Sequence, residues 1–177
     1  RIFFVNIVKN TVCYTQRMNK HIVQMPEVYG NLTVVIGMPG SGKTTYMKSV
    51  LVENPEVLLF DDYQNESYDD DGDPKRSKYY KTLIEGLKQG KTALVSDIRY
   101  CSQYELNLFL SAVLSAAPNS HVEYRYFENN PDKCRANVIT RGRAKDRIEK
   151  ELEWIEKLSV QYSVPITHQM TVFTSEP

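Results

Sequence analysis

Gly37-Met38-Pro39-Gly40-Ser41-Gly42-Lys43-Thr44 is the stretch that decides the fold of this 177-residue chain. It matches the phosphate-binding pattern G-x-x-x-x-G-K-[ST]. Glycines let the backbone wrap tightly, so that successive N–H groups point at phosphate oxygens. Gly37, Pro39, Gly40, Ser41 and Gly42 form that wrap. Lys43 adds a positive charge for the β/γ-phosphates, and the Thr44 hydroxyl can ligate the magnesium that travels with a nucleotide. Upstream, Leu32-Thr33-Val34-Val35-Ile36 is a short apolar run that reads as a buried strand. Downstream, Thr45 to Glu53 reads as a helix whose positive N-terminal end faces the anion, with Thr45 at that end.

Strand and helix alternate from there on, the pattern of an α/β domain with a parallel sheet. Val57 to Phe60 predicts a second strand ending at Asp61-Asp62. Pro74 can open a helix that shows Tyr79, Leu83 and Leu87 on one face. Thr92 to Val95 predicts a third strand ending at Ser96-Asp97. Ser102-Gln103-Tyr104-Glu105 fits a capping box before a helix with Leu106, Phe109, Leu110, Val113 and Leu114 on one side. His121 to Phe127 alternates as a strand. Asn130-Pro131 caps and opens a helix that Gly142 ends. Asp146 to Leu158 is a charged amphipathic helix buried through Ile148, Leu152 and Ile155, and Thr171 to Thr174 is a candidate last strand. Residues 1–28, with a strand-like Ile2 to Val8, read as an N-terminal appendage to a single domain over 29–177.

Lys and Arg number 22, as do Asp and Glu, so the whole chain is not a magnet for polyanions. Locally, Asp69 to Asp73 is acidic and Lys133 to Lys150 is basic, enough for a track along an anionic ligand. No run of about 18 apolar residues is present, which predicts no membrane span and no membrane partner. No stretch has signal-peptide character, and Cys13, Cys101 and Cys134 form no C-x-x-C pair. That usage suits a reducing cytoplasm rather than a disulfide frame or zinc site.

Ligands of open α/β sheets sit beyond the carboxyl ends of the strands, where Asp61-Asp62 and Ser96-Asp97 fall. A carboxylate there can take the proton from an acceptor hydroxyl as it attacks a γ-phosphorus. Asp61 is the first choice for that base. Asp62 orients it, binds substrate or caps the loop. Asp97 suits a carboxylate that holds magnesium directly or through water, against a plain loop cap. Arg99 can meet a substrate phosphate or form a surface ion pair.

Arg135, Arg141, Arg143, Lys145 and Arg147 cluster around Gly142. Arginines that close over a nucleotide stabilise the charge spread over the transferred group, so two helices meeting at Gly142 read as a lid. Arg141 and Arg135 are the candidates for catalysis and Arg143 for the nucleotide. The bland alternative is a solvated helix end. Tyr68 to Asp73 fails the calcium-loop pattern, at Ser67 and Lys78, and reads as a solvated loop. The three histidines have no metal spacing. Tyr79-Tyr80 and Tyr124 to Tyr126 can stack bases but suit core packing better.

The phosphate loop, Asp61-Asp62-Tyr63, Ser96-Asp97 and the arginine segment occur in that order between about Leu32 and Val164. In this the chain resembles the kinase domain of phage-type polynucleotide 5′-hydroxyl kinases and their P-loop relatives, including zeta-toxin-like and small-molecule kinases. The resemblance implies a P-loop NTPase three-layer sandwich with a mainly parallel sheet and an arginine-bearing lid. It implies ATP and Mg2+ at Lys43 and Thr44, Asp61 as general base, Asp97 near the metal, and Arg141 as a lid arginine, with Arg135 a looser match. The phage enzymes carry an Arg directly after D-D-Y where this chain has Gln64. The acceptor therefore stays open between the 5′-hydroxyl of DNA or RNA and a nucleoside, nucleotide or other small hydroxyl compound. An ATP-hydrolysing switch subunit that drives a partner is the alternative outside the kinases.

Overall fold

Alternate residues of the first strand go to different sides of the molecule, and the architecture follows from that. The structure, a computed structural model, describes residues 29–64, 78–165 and 169–172. Strand β1 (Asn31–Ile36) is buried at every position after Asn31. Leu32, Val34 and Ile36 join a large cluster with Leu83, Leu87, Phe109, Val113, Val138, Ile155 and Leu158. Val35 faces a smaller one with Met47, Leu94 and Phe127. A strand buried on both faces belongs to a parallel sheet covered on both sides, which accounts for its unbroken apolar run.

Among the described residues five strands form that sheet in the order β2-β3-β1-β4-β5, every pair parallel. Their ranges are β2 Leu58–Phe60, β3 Ala93–Ser96, β4 His121–Phe127 and β5 Gln169–Met170. The helices between them are α1 (Lys43–Glu53), α2 (Tyr80–Lys88), α3 (Gln103–Ala116), α4 (Pro131–Thr140) and α5 (Lys145–Gln161), with a 3-10 turn at Ile98–Cys101. Helix α1 covers the smaller cluster through Met47, and α2 to α5 contribute to the larger one. This is the expected three-layer α/β sandwich. The chain leaves β1 toward β2 on one side and leaves β3 toward β4 on the other. The crevice between the carboxyl ends of β1 and β3 is therefore the switch point where such sheets bind ligands.

Side chains explain the element ends. The Asn130 side chain accepts from Lys133 N at 3.1 Å, with Pro131 in the first turn of α4. Gly142, at φ 62°, turns the chain out of α4, as its position suggests. Tyr162 ties α5 to the sheet, its hydroxyl lying 2.6 Å from Phe127 O and 3.1 Å from Ile36 O.

Several expectations need correction. Ser102 is the N-cap of α3, but its side chain makes no capping bond. Its own N–H instead closes the preceding 3-10 turn onto Arg99 O, so α3 follows directly from that turn. Helix α1 starts at Lys43, two residues early, because the loop runs straight into it. Strand β5 lies at Gln169–Met170, where it pairs with Tyr126 and Phe127; of the expected Thr171 to Thr174, Thr171 and Val172 are outside the strand and the other two residues lie outside the described residues. Pro74, the acidic Tyr68 to Asp73 stretch, and Ile2 to Val8 with the rest of the 1–28 appendage lie outside the described residues.

Candidate functional site

Two of the loop glycines are dictated by space, and one of them, Gly40, by rotation as well. Gly40 has φ +81°, and a Cβ there would lie 2.3 Å from Cys134 O of α4. A Cβ on Gly37 would lie 2.6 Å from Ser41 Oγ. The loop is thus pressed against α4, and Asn137 Nδ2 donates to Gly40 O at 2.8 Å to fix the contact. Helix α1 starts without a side-chain cap, so its first N–H groups remain available for an anion. Ser41 Oγ is buried and makes no hydrogen bond among the described residues. Lys43 is 8% exposed, and its Nζ donates to Gly37 O at 2.7 Å and Met38 O at 3.0 Å. The cradle therefore has uncompensated donors and a cation already folded over it, as a polyphosphate requires.

Thr44 leaves the loop on the exposed side and donates from Oγ1 to Asp61 Oδ2 at 2.6 Å. The other oxygen of Asp61 accepts from Asp62 N at 3.2 Å. Asp62 has φ 52°, the left-handed conformation that Asp tolerates better than most residues. That turn carries Tyr63 into the core against Phe60, Tyr79 and Phe109, and Tyr63 N donates to Ser96 O. Burial, with Asp61 alongside, raises the pKa of Asp62 above the usual carboxylate value. The positive charges of Lys43, Arg147 and Arg143 oppose the rise. Asp62 is thereby within the field of both the phosphate loop and the arginine segment.

Asp97 is 1% exposed. Its oxygens accept from Gln64 N at 2.8 Å and Arg99 N at 2.9 Å. One carboxylate thus joins the ends of β2 and β3 and caps the 3-10 turn. Burial pushes its pKa up to about 6, against the two N–H donors. Arg99 Nη1 donates to Gln64 Oε1 at 3.0 Å, which brings a guanidinium to the position directly after D-D-Y. Thr44, Asp61 and Asp97 are hard oxygen donors that suit magnesium. Among the described residues no three His, Cys, Asp or Glu side chains form a closed cage. Magnesium brought in on phosphates needs only one or two protein carboxylates.

The arginine segment divides in two. Arg141, Arg143 and Arg147 converge on Glu151 of α5. Arg143 Nη1 and Arg147 Nε meet Oε1, the latter at 3.4 Å, and Arg141 Nη1 lies 4.0 Å from Oε2. Arg135 is elsewhere, paired with Asp132 of its own helix at 3.0 Å. Lys133 pairs with Glu128 and Lys145 with Glu149, so an acid answers most of the basic track. Tyr124 and Tyr126 stack on each other at 5.9 Å beside the larger core cluster, and Tyr79 packs there too.

Sequence reasoning missed Asn137 and Glu151, and it placed Arg147 in the arginine cluster without giving it a role of its own. A polar Asn137 between the apolar Cys134 and Val138 was the available signal for the first. The four-residue spacing of Arg147 and Glu151 on one helix was the signal for the second.

A sheet with its switch point at β1/β3 and a built phosphate cradle there defines a kinase-like P-loop nucleotide-binding domain. The chain belongs to the AAA domain family, which it matches over residues 32–165. It is 26% identical over 134 residues to an uncharacterized protein of Acanthamoeba polyphaga mimivirus, across 75% of this chain and 86% of that protein. Its fold resembles a chain in the structure of the Pnkp1/Rnl/Hen1 RNA repair complex, with a TM-score of 0.55 and 13% identity. The likeness covers 79% of this chain and 48% of the other, so this chain spans about half the length of that neighbour. No described helix is long and apolar enough to cross a membrane.

Proposed function

We propose that the protein is an ATP-dependent kinase that transfers the γ-phosphate to a hydroxyl, foremost the 5′-hydroxyl of DNA or RNA. The observation that carries this reading is the Thr44–Asp61 hydrogen bond of 2.6 Å. It sets a strand-end carboxylate at the first turn of the phosphate-loop helix, where a hydroxyl attacking the γ-phosphorus would need a base. Asp61 accepts the hydroxyl proton, the new P–O bond forms, and the bond to the β-phosphate breaks with ADP leaving. Lys43 and the loop N–H groups hold the phosphates. Arg141, Arg143 and Arg147 meet the charge that spreads over the transferred group. Magnesium, held through Thr44 and Asp97, would neutralise charge on the phosphates when bound.

Asp62 offers a second reading of the base. Its raised pKa moves it toward working pH, where a base is most effective. For the acceptor, Arg99 at Gln64 supplies a cation for a substrate phosphate directly after D-D-Y. The RNA repair complex that contains the fold neighbour supports a nucleic-acid end as acceptor. Labelled ATP offered with 5′-hydroxyl oligonucleotides and with free nucleosides tests this. Faster transfer to the oligonucleotide, weakening as salt rises, is expected. Equal or better transfer to a nucleoside with no salt effect would assign the protein to small-molecule kinases.

A further inference from the structure

Glu151 is the least expected member of the arginine segment. It sits on α5, its side chain is 15% exposed, and three guanidinium groups from two helices and the turn between them point at it. Arg141 is the C-cap of α4, Arg143 lies in the turn, and Arg147 is on the first turns of α5. Three cations this close repel one another unless an anion stands between them. Oε1 takes Arg143 and Arg147, while Oε2 is buried and makes no hydrogen bond among the described residues, with Arg141 at ion-pair distance only. One carboxylate cannot neutralise three arginines, so the group keeps a net positive charge.

We propose that Glu151 is the positioning residue of the lid: it gathers Arg141, Arg143 and Arg147 into one fan, so that they face the transferred phosphate together. This rests on the kinase reading above. One further observation supports it. Helix α4 is fixed to the phosphate loop by Asn137 and by the Gly40 contact, and a Cβ on Gly142 would meet nothing within 4 Å among the described residues. The ion pairs of Glu151 span the turn at Gly142 between α4 and α5. Glu151 touches no reacting atom. Phosphate oxygens, once present, compete with it for the same guanidinium groups.

The test compares the parent with Glu151→Gln and Glu151→Asp. Gln keeps the shape without the charge, and Asp keeps the charge one methylene shorter. Steady-state transfer gives kcat and KM for ATP. Labelling by phenylglyoxal, read by mass spectrometry, reports the accessibility of Arg143 and Arg147 independently of turnover. Glu151→Gln is expected to lower kcat by about tenfold or more and to leave KM for ATP within about threefold, because the loss falls on the transition state. Glu151→Asp is expected to recover most of kcat, and labelling of Arg143 is expected to rise severalfold in Glu151→Gln alone. Thermal melting identifies any variant that is merely unfolded, and labelling is done below its midpoint. Unchanged kcat and labelling in Glu151→Gln, or an equal loss in both variants, would overturn the proposal. A parent without transfer whose labelling still follows the Gln/Asp pattern would overturn the kinase reading and leave the fan standing.

Discussion

The phosphate loop and the arginine segment both act on Asp62, yet they are held by different forces. The loop is fixed by buried backbone. Gly40 has no room for a side chain beside Cys134, Asn137 clamps the loop, and Lys43 bonds to its carbonyls. The arginine segment is held by ion pairs on half-exposed side chains around Glu151. Surface ion pairs contribute only ~0–1 kcal/mol each and weaken with salt. A preformed anion cradle is thus set beside a set of cations free to exchange one anion for another. That division suits a transfer enzyme, which must bind its donor in one fixed register and respond to charge that develops later.

The largest expected effect tests the rigid half. Lys43→Ala is expected to abolish nucleotide turnover while the fold survives, since the Gly40 contact and the Asn137 bond still hold the loop against α4. Circular dichroism establishes the fold and labelled ATP the turnover. Normal turnover in a folded variant would break the comparison at its stronger side.

Between the two halves lies the acidic pair. Asp61→Asn is expected to bind ATP nearly normally and to lose transfer by about 10²–10⁴-fold, the usual contribution of a positioned base. Asp62→Asn is expected to lose less. Pre-steady-state transfer ranks them, and a reversed order would move the base to Asp62.

On the looser side, at least one of Arg141→Ala, Arg143→Ala and Arg135→Ala is expected to cost roughly 10²-fold in kcat with little change in ATP affinity. Arg135, paired with Asp132 away from the fan, is expected to cost least. If all three stay within a fewfold of the parent, the segment is a solvated helix end and the comparison loses its second half.

The smallest effect is a pH dependence carried by the buried half. Asp97 ordinarily titrates near 3.8 and is pushed up to about 6 in the folded protein. The folded chain therefore holds this proton more tightly than the unfolded chain does. The group's stabilising contribution is full below about pH 4, falls as pH rises toward 6, and is constant above. Urea denaturation at pH 4.5, 5.5 and 7 is expected to show that slope, of order 2 kcal/mol, in the parent and to lack it in Asp97→Asn. Asp62 acts with the same sign.

How much of this was legible depended on whether a feature is local. The phosphate loop, β4 at His121–Phe127 and the Asn130-Pro131 start of α4 are written in short motifs, and the structure has them there. Asp61, Asp62 and Asp97 were legible as strand ends. Their partners were not, because Thr44–Asp61 and Asp97–Gln64 join residues 17 and 33 apart in sequence. Asn137 escaped for the same reason, since its partner Gly40 lies 97 residues away. The Ser102 capping box failed because the pattern does not reveal the 3-10 turn before it. The Glu151 fan was half legible. Its Arg147 limb is a local helix pair, while its Arg141 limb depends on how the chain turns at Gly142.

The fate of labelled γ-phosphate tests the central claim most directly. ATP carrying the label is mixed with the protein, magnesium and a 5′-hydroxyl oligonucleotide, and the products are separated into phosphorylated oligonucleotide and free phosphate. The account predicts label mainly on the oligonucleotide, with that product lost in Asp61→Asn. Label released only as free phosphate, whatever hydroxyl is offered, would contradict it and make the protein an ATP-hydrolysing switch.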